Sequence, residues 1–152
     1  MPLQGLSYRQ VGVSDWLAVK NLIEANQSDL DFTRYLKMRF GSVQRFVSQR
    51  DPVMPWGLMA FQHDEPIGFV VGRQDEGMGV VDALLVRSDR RRWSVGSGLL
   101  SALLDLFRDA GVGLVEATYL KSQDQAGRLF ERLRFQETGK VLSDKEEAWI
   151  HC

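Results

Sequence analysis

Cysteine is nearly missing from this chain: Cys152 is the only one, so no disulfide can form within it. Histidine is almost as scarce. His63 falls in an expected turn and His151 sits next to Cys152, and two ligands without partners make a poor metal site. No metal is expected, and Cys152 has no histidine placed to activate it as a nucleophile. No apolar run approaches the roughly 18 residues needed to span a bilayer. The opening Met1-Pro-Leu-Gln-Gly lacks the basic and apolar regions of a secretory leader. Excess charge is absent too: 19 basic residues stand against 20 acidic ones, for a net charge of -1. No overall field therefore favours nucleic acid. These absences lead to the expectation of a cytoplasmic protein with no nucleic-acid or membrane partner.

What is present is ordinary for a folded domain. The chain has 152 residues, 44% hydrophobic and 26% charged, which favours one domain over residues 1–152. It contains no internal repeat, low-complexity segment or linker.

Periodicity predicts the elements in order. Tyr8 to Val13 reads as a first strand, and Ser14-Asp15 as the N-cap of a helix with Trp16, Val19, Leu22 and Ile23 on its apolar face. A second helical pattern runs from about Asp31 to Gln49 with Phe32, Leu36, Phe40, Val43 and Val47. Trp56 to Gln62 and Ile67 to Arg73 read as a hairpin about His63-Asp-Glu-Pro66. Asp75-Glu-Gly77 then turns the chain into a strand at Val80 to Val86. A helix follows to Asp109, then a strand at Leu114 to Leu120 and a helix from Ser122 through Leu133. Phe135 to Val141 and Glu147 to His151 close the order as a strand pair. The expectation is an α+β fold (α/β/α-like), with a mixed central sheet of about seven strands covered by about four helices.

The chemistry concentrates between Val80 and Phe107. The apolar run ends at Val86 and a polar turn follows. Ser94-Val-Gly-Ser-Gly98 then opens a helix with Leu99, Leu100, Leu103, Leu104 and Phe107 at helical spacing. A strand that feeds a Gly/Ser-rich helix N-terminus offers free backbone N–H groups and the positive end of the helix dipole to a phosphate. Arg90, Arg91 and Arg92 add positive charge beside it. Those arginines could be only a solvated charge run or a weak nucleic-acid patch, but their place beside the Gly/Ser turn favours phosphate. Gly96 and Gly98 could simply permit a close helix–sheet contact. No Lys-Ser/Thr follows the glycines, and a third dinucleotide glycine is lacking.

The run Arg91-Arg92-Trp93-Ser94-Val95-Gly96 resembles the coenzyme A loop of the GNAT superfamily of acyl-CoA-dependent N-acetyltransferases. Ser94 stands where that family has its first glycine. About 30 residues on, across a βαβ crossover, a second signature is similar to the family's. Gln123-x-x-Ala126-x-x-Leu129-Phe130 replaces the usual Asn and Tyr by Gln123 and Phe130, and Arg134 stands for a Gly before Phe135.

The resemblance implies a single N-acetyltransferase domain whose sheet is splayed in the middle for coenzyme A. Leu84, Leu85 and Val86 would offer main-chain partners to pantetheine. Arg91, Arg92, Trp93, Ser94, Val95, Gly96 and Ser97 would cradle the diphosphate, and Gln123 would contact the carrier. Phe130 would lie near the sulfur, but it has no hydroxyl with which to protonate a leaving thiolate. Trp93 would either cover the adenine or pack on its own helix. Acetyl-CoA is the implied co-substrate and a primary amine the acceptor, joined in a ternary complex. Asp82, which interrupts the apolar strand on the face expected for Leu84, is the first candidate base, and Glu116 is the second. A strand-end carboxylate and an exposed edge charge are their plain structural alternatives. Phe130 also motivates a rival reading, a non-catalytic acyl-CoA-binding or sensor module. Family members often pair through their C-terminal strands, which leaves a homodimer open here.

Overall fold

The computed structural model describes residues 4–12, 15–25, 56–87, 89–90, 95–120, 136–143 and 146–151. Within them, β1 (Leu6–Gln10), β2 (Gly57–Gln62), β3 (Glu65–Asp75), β4 (Met78–Val86), β5 (Val115–Leu120), β6 (Gln136–Ser143) and β7 (Glu146–His151) form one sheet. Its spatial order is β1-β2-β3-β4-β5-β7-β6. Two helices accompany it among the described residues, α1 (Trp16–Ala25) and α2 (Val95–Asp109). The helices expected over 31–49 and 122–133 lie outside the described residues.

Neighbouring strands are antiparallel except β4 and β5, which run parallel. A parallel pair needs a crossover, and α2 provides it. The fold is thus α+β on a mixed sheet.

The apolar alternation of the strands divides between two layers. Val95, Leu99, Leu100, Leu103 and Phe107 of α2 bury against Leu58, Ala60, Ile67, Val70, Val81 and Val86 on one face. Val19, Leu22 and Ile23 of α1 bury against Met59, Phe69, Val71, Ala83 and Leu85 on the other. Burial on both faces explains why β3 and β4 read as nearly continuous apolar runs. Trp56 stacks on Phe107 with ring centroids 4.6 Å apart, which ties the entry to β2 to the far end of α2. α2 stops at Gly111 (φ 83°), where the Val112 N–H returns to the Phe107 carbonyl at 2.9 Å.

The β2–β3 and β3–β4 hairpins each turn on two residues with positive φ. His63 and Asp64 sit at 48° and 67°, and Glu76 and Gly77 at 50° and 81°. Such turns match the twist of the strands they join. The first is tighter than the expected four-residue turn, because Glu65 and Pro66 already pair with Gln62 and Phe61.

β1 also differs from expectation. It begins at Leu6 and ends at Gln10, in register with Gln62 back to Leu58. The chain then turns because the Asp15 carboxylate accepts the Gly12 N–H at 2.7 Å and two Arg9 hydrogen bonds at 2.8 and 3.1 Å. Arg9 and Gly12 lie before the helix, so Asp15 ties β1 to α1.

Candidate functional site

The site is built where β4 parts from β5. Their register pairs run from Gly79↔Val115 to Val81↔Ala117 and stop there. Both strands continue, β4 to Val86 and β5 to Leu120. Beyond the parting, β4 keeps its ladder with β3, from Ala83↔Val71 to Val86↔Gly68. On its other side β5 keeps its ladder with β7 out to Leu120↔Glu146.

Asp82 sits at the parting. In the β3–β4 ladder Val81 pairs with Gly72 and Ala83 with Val71, so Asp82 is the extra residue of a β-bulge. Bulges re-aim a side chain and increase local twist. The face shared with Leu84, expected from simple alternation, is therefore not kept. Leu84 packs in the α2 layer. Asp82 instead accepts a hydrogen bond from Arg73 Nε at 3.2 Å. Arg73 follows Gly72, whose missing Cβ would point at Phe107 and Leu103 of α2, so Arg73 leaves the sheet on the opposite face.

Asp82 is only 1% exposed, whereas Arg73 is partly open to solvent and also reaches Asp75 at 3.1 Å. Burial alone would lower the Arg73 pKa. The charges of Asp82 and Asp75 and their hydrogen bonds outweigh it and raise the value.

Glu116 stands on β5 in register with Val80. Its neighbours Val115 and Ala117 pack in the α2 layer, so Glu116 faces the other way. The two carboxylates named from the sequence thus come out on the same face, on the two strands that part.

The far end of β4 leads to α2. Leu85 and Val86 are buried and Leu84 is half-buried. Val95 is fully buried, while Gly96 and Ser97 are half-buried. No acidic residue lies in the first turn of α2, so none of its own side chains sets a negative charge at the positive end of the helix dipole. Gly98 lies under the Tyr8 hydroxyl, the far end of a partly exposed side chain that a Cβ there would push aside. Arg91, Arg92, Trp93, Ser94, Gln123 and Phe130 lie outside the described residues.

Arg90 is placed in a way the sequence did not anticipate. Its Nε donates to the Gln62 side-chain oxygen at 2.7 Å, and its Nη1 lies 3.0 Å from Asp89. Arg87 and Asp89, not singled out from the sequence, join the same group through hydrogen bonds of 2.7 and 3.1 Å. No local pattern could have revealed the bond from Arg90 to Gln62, which links residues 28 positions apart.

Residues 16–135 match the family model described as the acetyltransferase (GNAT) family. The chain belongs to the GNAT acetyltransferase family. It is therefore an acyltransferase of the acetyl-CoA-dependent N-acetyltransferase kind.

Solved GNAT-type structures superpose over nearly its whole length. Ard1 from Thermoplasma volcanium is 17% identical, with TM-score 0.75 and 97% of each chain covered. The PaiA N-acetyltransferase from Thermoplasma acidophilum, solved in complex with coenzyme A, is 11% identical, with TM-score 0.77 and coverage of 95% of this chain and 98% of that one. Diaminobutyrate acetyltransferase EctA from Paenibacillus lautus, solved with L-2,4-diaminobutyric acid and coenzyme A, is 18% identical, with TM-score 0.68 and coverage of 97% and 94%. At these identities the likeness is one of fold. Among curated protein sequences nothing matches the chain.

Among the described residues no helix is long and apolar enough to cross a membrane. Among them, too, no group of three or more His, Cys, Asp or Glu side chains could hold a metal ion.

Proposed function

We propose that this GNAT protein moves an acetyl group from acetyl-CoA to a primary amine by direct attack within a ternary complex. The observation that carries the reading is the end of the β4–β5 register at Val81↔Ala117, with a first turn of α2 that holds no acidic residue beyond it. A pantetheine arm laid in that gap would meet main-chain groups of Leu84, Leu85 and Val86, as a ligand added to a strand edge. The diphosphate would meet residues 91–97 at the helix N-terminus. Acetyl-CoA supplies the acetyl group as a thioester. This chain's share is to hold that thioester beside the amine, an advantage worth up to about 7–11 kcal/mol in ideal cases.

An ammonium has no lone pair, so it must lose a proton before it can attack. Asp82 is our first choice to take that proton, directly or through water. It is buried and lies where the strands part, and Arg73 fixes its orientation. Glu116 is the second choice. Two copies of the chain would pair along the C-terminal strands, where β6 is the sheet's edge.

The test is release of free coenzyme A thiol across a broad panel of amines, with the pH–rate profile of the best acceptor. Asp82→Asn is expected to lower kcat by about 100-fold or more and to change the shape of the profile. An unchanged profile would transfer the role to Glu116 or to water. Tight coenzyme A binding with no thiol release from any amine would replace transfer by a binding or sensing role.

A further inference from the structure

We infer that Gln62, Arg87, Asp89 and Arg90 form a brace that anchors the start of the β4–α2 connection, making Arg90 and Gln62 positioning residues for the carrier's diphosphate; this rests on the acetyl-CoA reading above.

The connection leaves β4 at Val86 and enters α2 at Val95. Its first residues are tied by the main chain. The Arg87 N–H donates to the Ile67 carbonyl at 2.8 Å, and the Arg90 N–H donates back to the Arg87 carbonyl at 2.9 Å. Side chains then fasten this turn to the β2–β3 hairpin at two points. Arg87 Nη1 reaches Glu65 at the start of β3 at 2.8 Å. Arg90 Nε reaches Gln62 at the end of β2 at 2.7 Å. The Gln62 amide is itself held, donating to the Gln4 carbonyl at 3.3 Å. Asp89 closes the group by bridging Arg87 and Arg90.

The charges decide what such a group can do. Two arginines face two carboxylates, Asp89 and Glu65, so the set is neutral. A neutral, internally bonded set attracts no distant anion. Arg90 turns its Nε to Gln62 and its Nη1 to Asp89. What the brace supplies is a fixed starting point for the residues whose N–H groups are to meet the diphosphate. Fixing a binding loop beforehand strengthens binding by lowering its ordering cost. Each pair is partly exposed and individually weak, so the effect is moderate.

Dissociation constants measured by NMR titration, a method that reaches millimolar affinities, test the inference. The two ligands are acetyl-CoA and S-acetyl-pantetheine, which carries the thioester arm without the diphosphate. Arg90→Gln and Gln62→Ala should each weaken acetyl-CoA about 5- to 10-fold. S-acetyl-pantetheine should bind within twofold of wild type, and Gln62→Glu, which keeps an acceptor for Arg90, should restore acetyl-CoA binding. Equal losses for both ligands would mean a general packing defect and overturn the brace. So would a loss in Arg90→Gln that Gln62→Ala does not share, because Arg90 would then be a direct ligand. Unchanged binding in every variant removes the brace but leaves the acetyl-transfer reading standing. A wild-type protein that binds neither ligand removes that reading as well.

Discussion

Arg73 and Asp82 show how much can depend on one side chain meeting another. The Asp82 carboxylate is buried, and Arg73 Nε is one of its donors. Arg73→Ala is expected to cost about 1–3 kcal/mol, the penalty for weakening the solvation of a buried charge. Chemical denaturation of Arg73→Ala, Asp82→Asn and the double variant should show less than additive loss, because the two changes remove one interaction. Gly72 gives a second residue-scale prediction. A Cβ there would fall 2.5 Å from the Val80 carbonyl oxygen, which is backbone and cannot swing aside. Gly72→Ala should therefore destabilise the fold by about 1–3 kcal/mol and lower the melting temperature measurably. Asp15 adds a pH dependence. Burial alone would raise its pKa, but the Arg9 and Gly12 hydrogen bonds and the Arg9 charge outweigh burial and lower it. Its stabilising contribution is complete above the unfolded carboxyl's value of about 4. It is lost as pH falls through the lower folded value. The gap in melting temperature between wild type and Asp15→Asn should thus shrink as pH drops below about 4.

The hairpins show what a sequence can and cannot disclose about an element. Asp75-Glu-Gly77 announces its turn by type, and β4 begins one residue after it. Glu76 nevertheless adopts φ 50°, a conformation that costs most side chains about 1–2 kcal/mol and that asparagine tolerates. Glu76→Asn is expected to raise stability by about 0.5–1 kcal/mol, read by thermal denaturation. β2 to β5 and both described helices were legible because their apolar runs or periods are strong and the turns after β2 and β3 carry Gly, Asp or Pro. The Asp82 bulge was not. Alternation assumes one residue per partner, and only the β3 ladder reveals that Val81 and Ala83 claim adjacent partners. The start of β1 was missed for a related reason. Leu6 and Ser7 are strand residues because Gln62 and Phe61 pair with them, and no local signal carries that information.

At the scale of the molecule, the Gly/Ser turn after an apolar strand was the most informative stretch, because it carried the family resemblance that the match over residues 16–135 bears out. The charges around it were less legible. A run of three arginines looks like one basic patch, yet Arg90 is folded back onto Gln62. Acetyl-CoA should raise the melting temperature in proportion to the logarithm of its concentration above Kd, and its absence of effect would count against the reading.

The parting of β4 from β5 has a mechanical consequence. Three rungs of parallel ladder are the sheet's seam between a four-strand leaf and a three-strand leaf. So short a seam makes the join a weak place for opening, and a carrier laid along it would act as mortar. Hydrogen exchange in β4 and β5 should slow on adding acetyl-CoA, while exchange in β2, inside one leaf, should change little.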